Sequence, residues 1–263
     1  VGDESARELS AKSEDQEIAL GKPGNIRKLK LTALGNRPYA CPEIVPSWWK
    51  LRSTHNSVTG LFDTLHLVRT TRAKQKNAET RGRLGRDEQD LLRAAIVFTS
   101  AGVDAAVKSL IAGCVPVLIT KPGTAKLKYE TFVENQVRSP EVEGDFVAAL
   151  KSVDPAAQIL QLYVRSKTKA SFQGSSDLRE RAGGALGITA QQIPKKRFAD
   201  LDEFFTARND VAHQLDMDDP ARLDAAPPRK TRSQRDVELM CDQVLLLVRD
   251  IIRATAQNVG NCH

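Results

Sequence analysis

The chain has 263 residues, of which 41% are hydrophobic, 27% charged and 5% aromatic, with a formal net charge of +6. That length allows a substantial aliphatic core in one large or two small domains, and the composition excludes a wholly disordered chain. The charge favours a polyanionic partner. No apolar run approaches the ~18–20 residues of a membrane span, and the opening Val1-Gly2-Asp3-Glu4-Ser5 lacks the blocks of a secretory signal. A soluble, cytoplasmic protein without a membrane partner is expected.

Residues 1 to about 20 read as a polar arm ending at the turn-rich Gly21-Lys22-Pro23-Gly24. Residues 25–54 look irregular. Asn25 to Leu31 is the one plausible short strand, and Pro38, Pro42 and Pro46 interrupt the residues after it. Trp48-Trp49 read as a buried cap over the core rather than a nucleobase platform. Residues 1–54 therefore form an N-terminal extension, partly flexible, and 55–263 the main domain.

Helical periodicity begins with Val58, Leu61/Phe62, Leu65 and Val68, and the charges from Arg69 to Lys76 finish that helix. Asp87 offers an N-cap to a second helix, Asp87–Ile111, apolar nearly all round and so placed centrally, with Gly113 and Pro116 ending it. Shorter helices are expected at 125–137, 143–151, 155–166 and 175–186, then one at 199–215. Asp216 to Pro228 reads as a loop, acidic first and then proline-rich. Thr231-x-x-Gln234 offers a capping box to a last helix with Val237, Met240, Val244, Leu247 and Ile251 on one face. The pattern is all-α.

Cys41, Cys114, Cys241 and Cys262 show no metal-ligand spacing, so no metal and no cofactor is expected, and Cys114 and Cys241 read as packed inside. The basic clusters are Arg81-Gly82-Arg83-Leu84-Gly85-Arg86, Lys195-Lys196-Arg197, and Arg229-Lys230-Thr231-Arg232 with Arg235. Such runs are usually solvated faces. The last lies just beyond the most informative stretch, Arg208-Asn209-Asp210-Val211-Ala212-His213. There the apolar stripe runs Leu201, Phe204/Phe205, Arg208, Val211/Ala212 and Leu215, so an arginine takes a position the pattern reserves for an apolar side chain. Asp104, one turn from Ser100, is the other polar group placed in this way, and a carboxylate there needs a partner. Arg208 is the natural one.

On these residues the chain resembles the HEPN superfamily of helical ribonuclease and nucleotide-binding domains. Arg208-Asn209-x-x-x-His213 matches its Arg, polar residue and His, and Ala94 to Ala105, with Ser100 and Asp104, is similar to its earlier helix. The resemblance runs from about 55 to 258, with inserted helices between Pro116 and Arg197. It implies an HEPN-like bundle and a metal-independent endoribonuclease, often a toxin or antiviral effector. It also implies a homodimer that lines one cleft with both motifs, and an antitoxin or other inhibitor is a possible partner.

Arg208 and His213 point ~140° apart on a straight helix, so they converge on one phosphate only through a bend, a helix end or a second copy. Asn209 and His213 share a face. In this reading His213 exchanges the proton, Arg208 grips the scissile phosphate, Asn209 positions them, Asp104 orients one of them, and Asp210 sits outward. Arg229, Lys230, Arg232 and Arg235 would contact the RNA backbone. Two alternatives stay open: a purely structural Arg208–Asp104 pair, and a non-catalytic module binding nucleotide or protein.

Overall fold

The computed structural model describes residues 26–38, 41–76, 83–139, 144–218 and 228–260. The arm through Asn25 with its Gly21–Gly24 break, the Arg81 end of the first basic cluster, residues 219–227 and Cys262-His263 lie outside them. Among the described residues the chain is all-α, with no strand and only one isolated bridge, Met217 to Arg229.

A short turn, Pro42–Ile44, leads into α1 (Val45–Lys76). Pro42 and Pro46 therefore open helices instead of breaking them. Proline is tolerated in a first turn because its missing N–H has no intrahelical partner there. Helix α1 thus crosses the expected boundary at residue 54. Trp48 is buried as a cap, but Trp49 is 51% exposed with Arg52 5.4 Å from its ring.

Helix α2 (Arg86–Leu118) starts one residue earlier than expected, with Gly85 as N-cap and the Gly85 N–H donated to Glu88 Oε2 at 2.8 Å. It runs through Pro116; Ala112, whose carbonyl that N–H would have met, is exposed. Against expectation, α2 is long and apolar enough to cross a membrane by length and composition alone. In this fold it is the central helix, packed by α1, α5 (Pro155–Thr168), α7 (Asp202–Gln214) and α8 (Gln234–Val259).

Helices α1 and α2 form an antiparallel hairpin: Ser47 Oγ donates to Ala106 O at 2.8 Å near one end, and Arg72 pairs with Glu88 at 3.0 Å near the other. They approach closely at Gly102, where an added Cβ would stand 1.9 Å from Thr54 Oγ1. Gly102→Ala is expected to force the helices apart and cost about 1–3 kcal/mol by urea denaturation. Gly60→Ala, whose Cβ meets nothing, serves as control.

Helices α3 (Thr124–Arg138), α4 (Gly144–Leu150) and α5 stand where expected, with Asp154 capping α5 through Ala157 N at 3.0 Å. The segment expected at 175–186 is helical but wound as a π-helix over Asp177–Gly183. A short α6 (Lys195–Ala199) holds the second basic cluster. Helix α8 is capped by Ser233, whose Oγ accepts from Asp236 N, and not by the Thr231 box; Thr231 Oγ1 instead accepts from Arg83 at 3.1 Å.

Residues 26–38 form no strand. They lie extended across α8, with Leu29, Leu31 and Leu34 buried. Lys30 N donates to Glu238, Arg27 pairs with the same carboxylate, and Thr32 N and Oγ1 donate to Asp242 at 2.6 and 2.8 Å. Cys114 and Cys241 are buried thiols, and burial pushes both up to about 12.

Candidate functional site

Helix α7 carries the Arg208–His213 motif. Its core side is Phe204, Phe205, Ala207 and Val211, all buried. Ala207, not Arg208, takes the apolar position; Arg208 stands half-buried at the margin, where a long side chain lays its stem on the core and keeps its head wet. Its Nη1 donates to Asn209 Oδ1 at 2.9 Å. Among the described residues Arg208 forms no ion pair. His213 is exposed in the last turn. The helix stays helical from 202 to 214, so Arg208 and His213 diverge as the periodicity requires and do not converge within one chain.

Asp104 does not meet Arg208. Its Oδ2 lies 2.8 Å from Lys108 Nζ one turn along α2, and its Oδ1 accepts the Phe172 N–H at 2.9 Å. A near lysine at i+4 satisfies a half-buried carboxylate with less ordering than a distant arginine does. Asp104 therefore anchors the chain entering the π-helix, and its expected orienting role beside the motif falls away.

Beyond the first turn of α2, where Glu88 is also buried, an ion that does penetrate the apolar side is Arg93. It lies one turn before Ile96, and the complete guanidinium is bonded. Nε donates to Asp216 Oδ2 at 2.9 Å, Nη1 to Asp90 Oδ1 at 2.9 Å and Nη2 to Lys230 O at 2.7 Å. Asp216 is 0% exposed and also takes Nε of Arg232 at 3.1 Å and its Nη2. Burial by itself would raise the Asp216 carboxyl, but hydrogen bonds and charge from Arg232 and Arg93 hold it below the usual carboxylate range. Burial likewise works against the Arg232 charge, and the Asp216 and Asp210 carboxylates outweigh it, raising the guanidinium's pKa.

Backbone geometry delivers Asp216 to this place. Leu215 and Asp216 both adopt left-handed conformations, φ 52° and 63°, with Asp216 N donating to Asp210 O at 2.9 Å. Such a conformation in a non-glycine residue costs of order 1–3 kcal/mol and persists only where surroundings enforce it. Leu215 is left 61% exposed while the next side chain turns inward.

The expected RNA-backbone cations are drawn into the same lattice. Arg229 Nη1 pairs with Asp90 at 2.8 Å and its Nε donates to Leu215 O at 3.0 Å. Lys230 pairs with Asp210 at 2.7 Å, and Arg232 with both Asp210 and Asp216. Asp210 therefore faces the 228–232 segment instead of bulk solvent. Gln89 completes the seam, exchanging two hydrogen bonds with the Arg232 backbone at 3.0 and 2.8 Å. Three of the four cations thus hold the chain that enters α8, and Arg235 alone is exposed. Arg235→Ser is expected to leave the melting temperature within about 1 °C, whereas Arg232→Ser removes one of the two guanidinium partners of buried Asp216 and lowers it by roughly 5 °C or more in scanning calorimetry.

Sequence reasoning missed Arg93 and Asp216. The signal for Arg93 was present in Leu92-Arg93-x-x-Ile96, a cation between core positions. Asp216 gave none, because its burial depends on two consecutive left-handed residues. No family model matches the chain, and no curated protein or solved structure does.

Proposed function

We propose that the chain is a metal-independent endoribonuclease of the HEPN kind, a cytoplasmic toxin or antiviral effector held in check by an inhibitor protein. One observation carries this reading. Arg93, Arg229, Lys230 and Arg232 around the motif are each paired with at least one carboxylate, whereas among the described residues Arg208 rests on an amide alone. An arginine oriented by a neutral neighbour keeps its full charge and fork for a phosphate. Because His213 diverges from it, the complete site takes Arg208 of one copy with His213 of a second, in a homodimer. With the 229–232 cations engaged, RNA contact falls to Arg235 and to a cavity of about 280 Å³ lined by Arg37, Trp48, Trp49 and Arg52, where exposed Trp49 offers a base a stacking face.

The test is incubation of the purified protein with total RNA in EDTA. Cleavage to 2′,3′-cyclic phosphate ends is the expected result, and intact RNA would overturn the reading. The exposure of His213, with no side chain among the described residues orienting it, favours one alternative, a module in which Arg208 and Asn209 hold a phosphate without cutting. RNA that is retained but uncut identifies that module.

A further inference from the structure

Three cations gather where α3, α5 and the π-helix meet, and no acid answers them. Lys167 of α5 places its Nζ 5.1 Å from the ring centre of Tyr163, and Arg181 of the π-helix lies 4.0 Å over Phe172. Lys128 of α3 lays its stem along the same turn, its Cε 4.0 Å from where a Cβ on Gly184 would be. Among the described residues none of the three forms an ion pair. Neighbouring acids are already engaged: Asp104 with Lys108 and the Phe172 N–H, Glu130 with Lys126, Glu180 with Arg179, and Asp177 with the Gln173 N–H. Burial depresses the Lys167 pKa, and the charges of Lys128 and Arg181 depress it further, so Lys167 lies within the field of both.

Two donors beside these cations are also unmet. Tyr163 is fully buried and its hydroxyl finds no partner among the described residues; nor does the buried Nε of Arg181, although Nη2 of the same guanidinium donates to Ser171 O at 2.9 Å. Burial pushes the Tyr163 hydroxyl up to about 12, so it remains an O–H donor at neutral pH. Like charges brought together in a partly desolvated place repel one another, and buried donors without acceptors are destabilising. Both are relieved by one polyanionic acceptor.

We propose that this junction binds a phosphate group, with Lys128, Lys167 and Arg181 as its cations and the Tyr163 hydroxyl beside them as a neutral donor. A carboxylate brings one negative charge to three positive ones; a phosphate brings up to two, and enough oxygens for a guanidinium edge and two ammonium groups. The π-helix fits such a role, since it is a rare winding that recurs at functional sites. The site lies in the stretch between Pro116 and Arg197, apart from the Arg208 motif, and does not depend on the cleavage reading.

The experiment is amine-labelling of the full chain read by mass spectrometry, in inorganic phosphate and in chloride of equal ionic strength. Phosphate at about ten times its dissociation constant should slow labelling of Lys167 roughly tenfold, while Lys126 reacts equally in both. Lys128→Ala changes an exposed side chain and keeps the fold, and it should weaken that protection; Arg181→Met should abolish it. Equal labelling of Lys167 in phosphate and chloride overturns the proposal, as does full protection in folded Lys128→Ala. A mononucleotide and an oligoribonucleotide without terminal phosphate then separate the sources: protection by the first alone assigns a terminal phosphate, protection by the second a backbone diester.

Discussion

His213→Ala is expected to abolish RNA cleavage while leaving RNA binding and the melting temperature unchanged. His213 is exposed and bonds no other side chain among the described residues, so its removal opens no cavity and strands no partner. It is the only imidazole in the motif, the side chain most often used for general acid–base transfer, which contributes about 10²–10⁴-fold. Arg208→Lys should fail nearly as badly, because an ammonium keeps the charge and loses the bidentate fork that Asn209 orients. Mixing the two inactive variants is a sharper measurement. If the site takes Arg208 from one copy and His213 from another, heterodimers of His213→Ala with Arg208→Lys contain one intact pair and recover part of the activity. Failure of the mixture to recover any activity, with dimers shown by sedimentation, would defeat the shared site.

The second large effect concerns stability. Asp216→Asn leaves the guanidinium groups of Arg93 and Arg232, whose side chains are 5% and 16% exposed, without their shared counter-charge. Removing one partner of a buried ionic cluster costs about 3–5 kcal/mol, roughly 10 °C in melting temperature for a chain of this size. Asp90→Asn, at a carboxylate 44% exposed, should cost under about 1 kcal/mol. The pH dependence is set by the direction of the Asp216 shift. A carboxyl held below its unfolded value stabilises the fold at every pH above ~4 and loses that contribution as pH falls from there through its folded pKa. The melting-temperature gap between wild type and Asp216→Asn should therefore be full at pH 7, still full at pH 5, and narrow below pH 4. A gap that stays constant down to pH 2 would show that the charge on Asp216 does not stabilise the fold.

Long amphipathic elements were legible because the apolar spacing reports directly which side is buried. Helix α8 presents Val237, Val244, Leu247 and Ile251 to the core as its periodicity requires, and α2 lies at the centre as its composition implies. Short-range signals were less decisive. Pro46 reads equally as a breaker and as a first-turn residue, and only Ile44, Trp48 and Leu51 packing into the core decides between them. The Lys108–Asp104 pair is readable from its i,i+4 spacing, which lets a carboxylate on an apolar helix find its partner on the same helix. Ala207 and Arg208 are adjacent on the stripe, and the spacing alone does not say which of the two turns inward; the small residue packs and the ion stays at the margin. What the sequence could not carry was the charge lattice. It joins α2, the end of α7 and the strand-like entry to α8, and each member is an ordinary surface residue until the backbone turn at Leu215-Asp216 brings them together.

The apolarity of α2 also bears on how the chain folds during synthesis. Helix α8, which covers much of it, begins roughly 115 residues after α2 ends; at roughly 5–20 residues per second that is on the order of 10 s. Through that interval a nascent helix with the hydropathy of a membrane span has only the α1 hairpin and the intervening helices against it. Helper proteins that bind greasy nascent segments, and machinery that inserts them into bilayers, compete for it in that window. The contest ends when α8 emerges and docks, and the segment at 26–38, made well before it, closes across that helix.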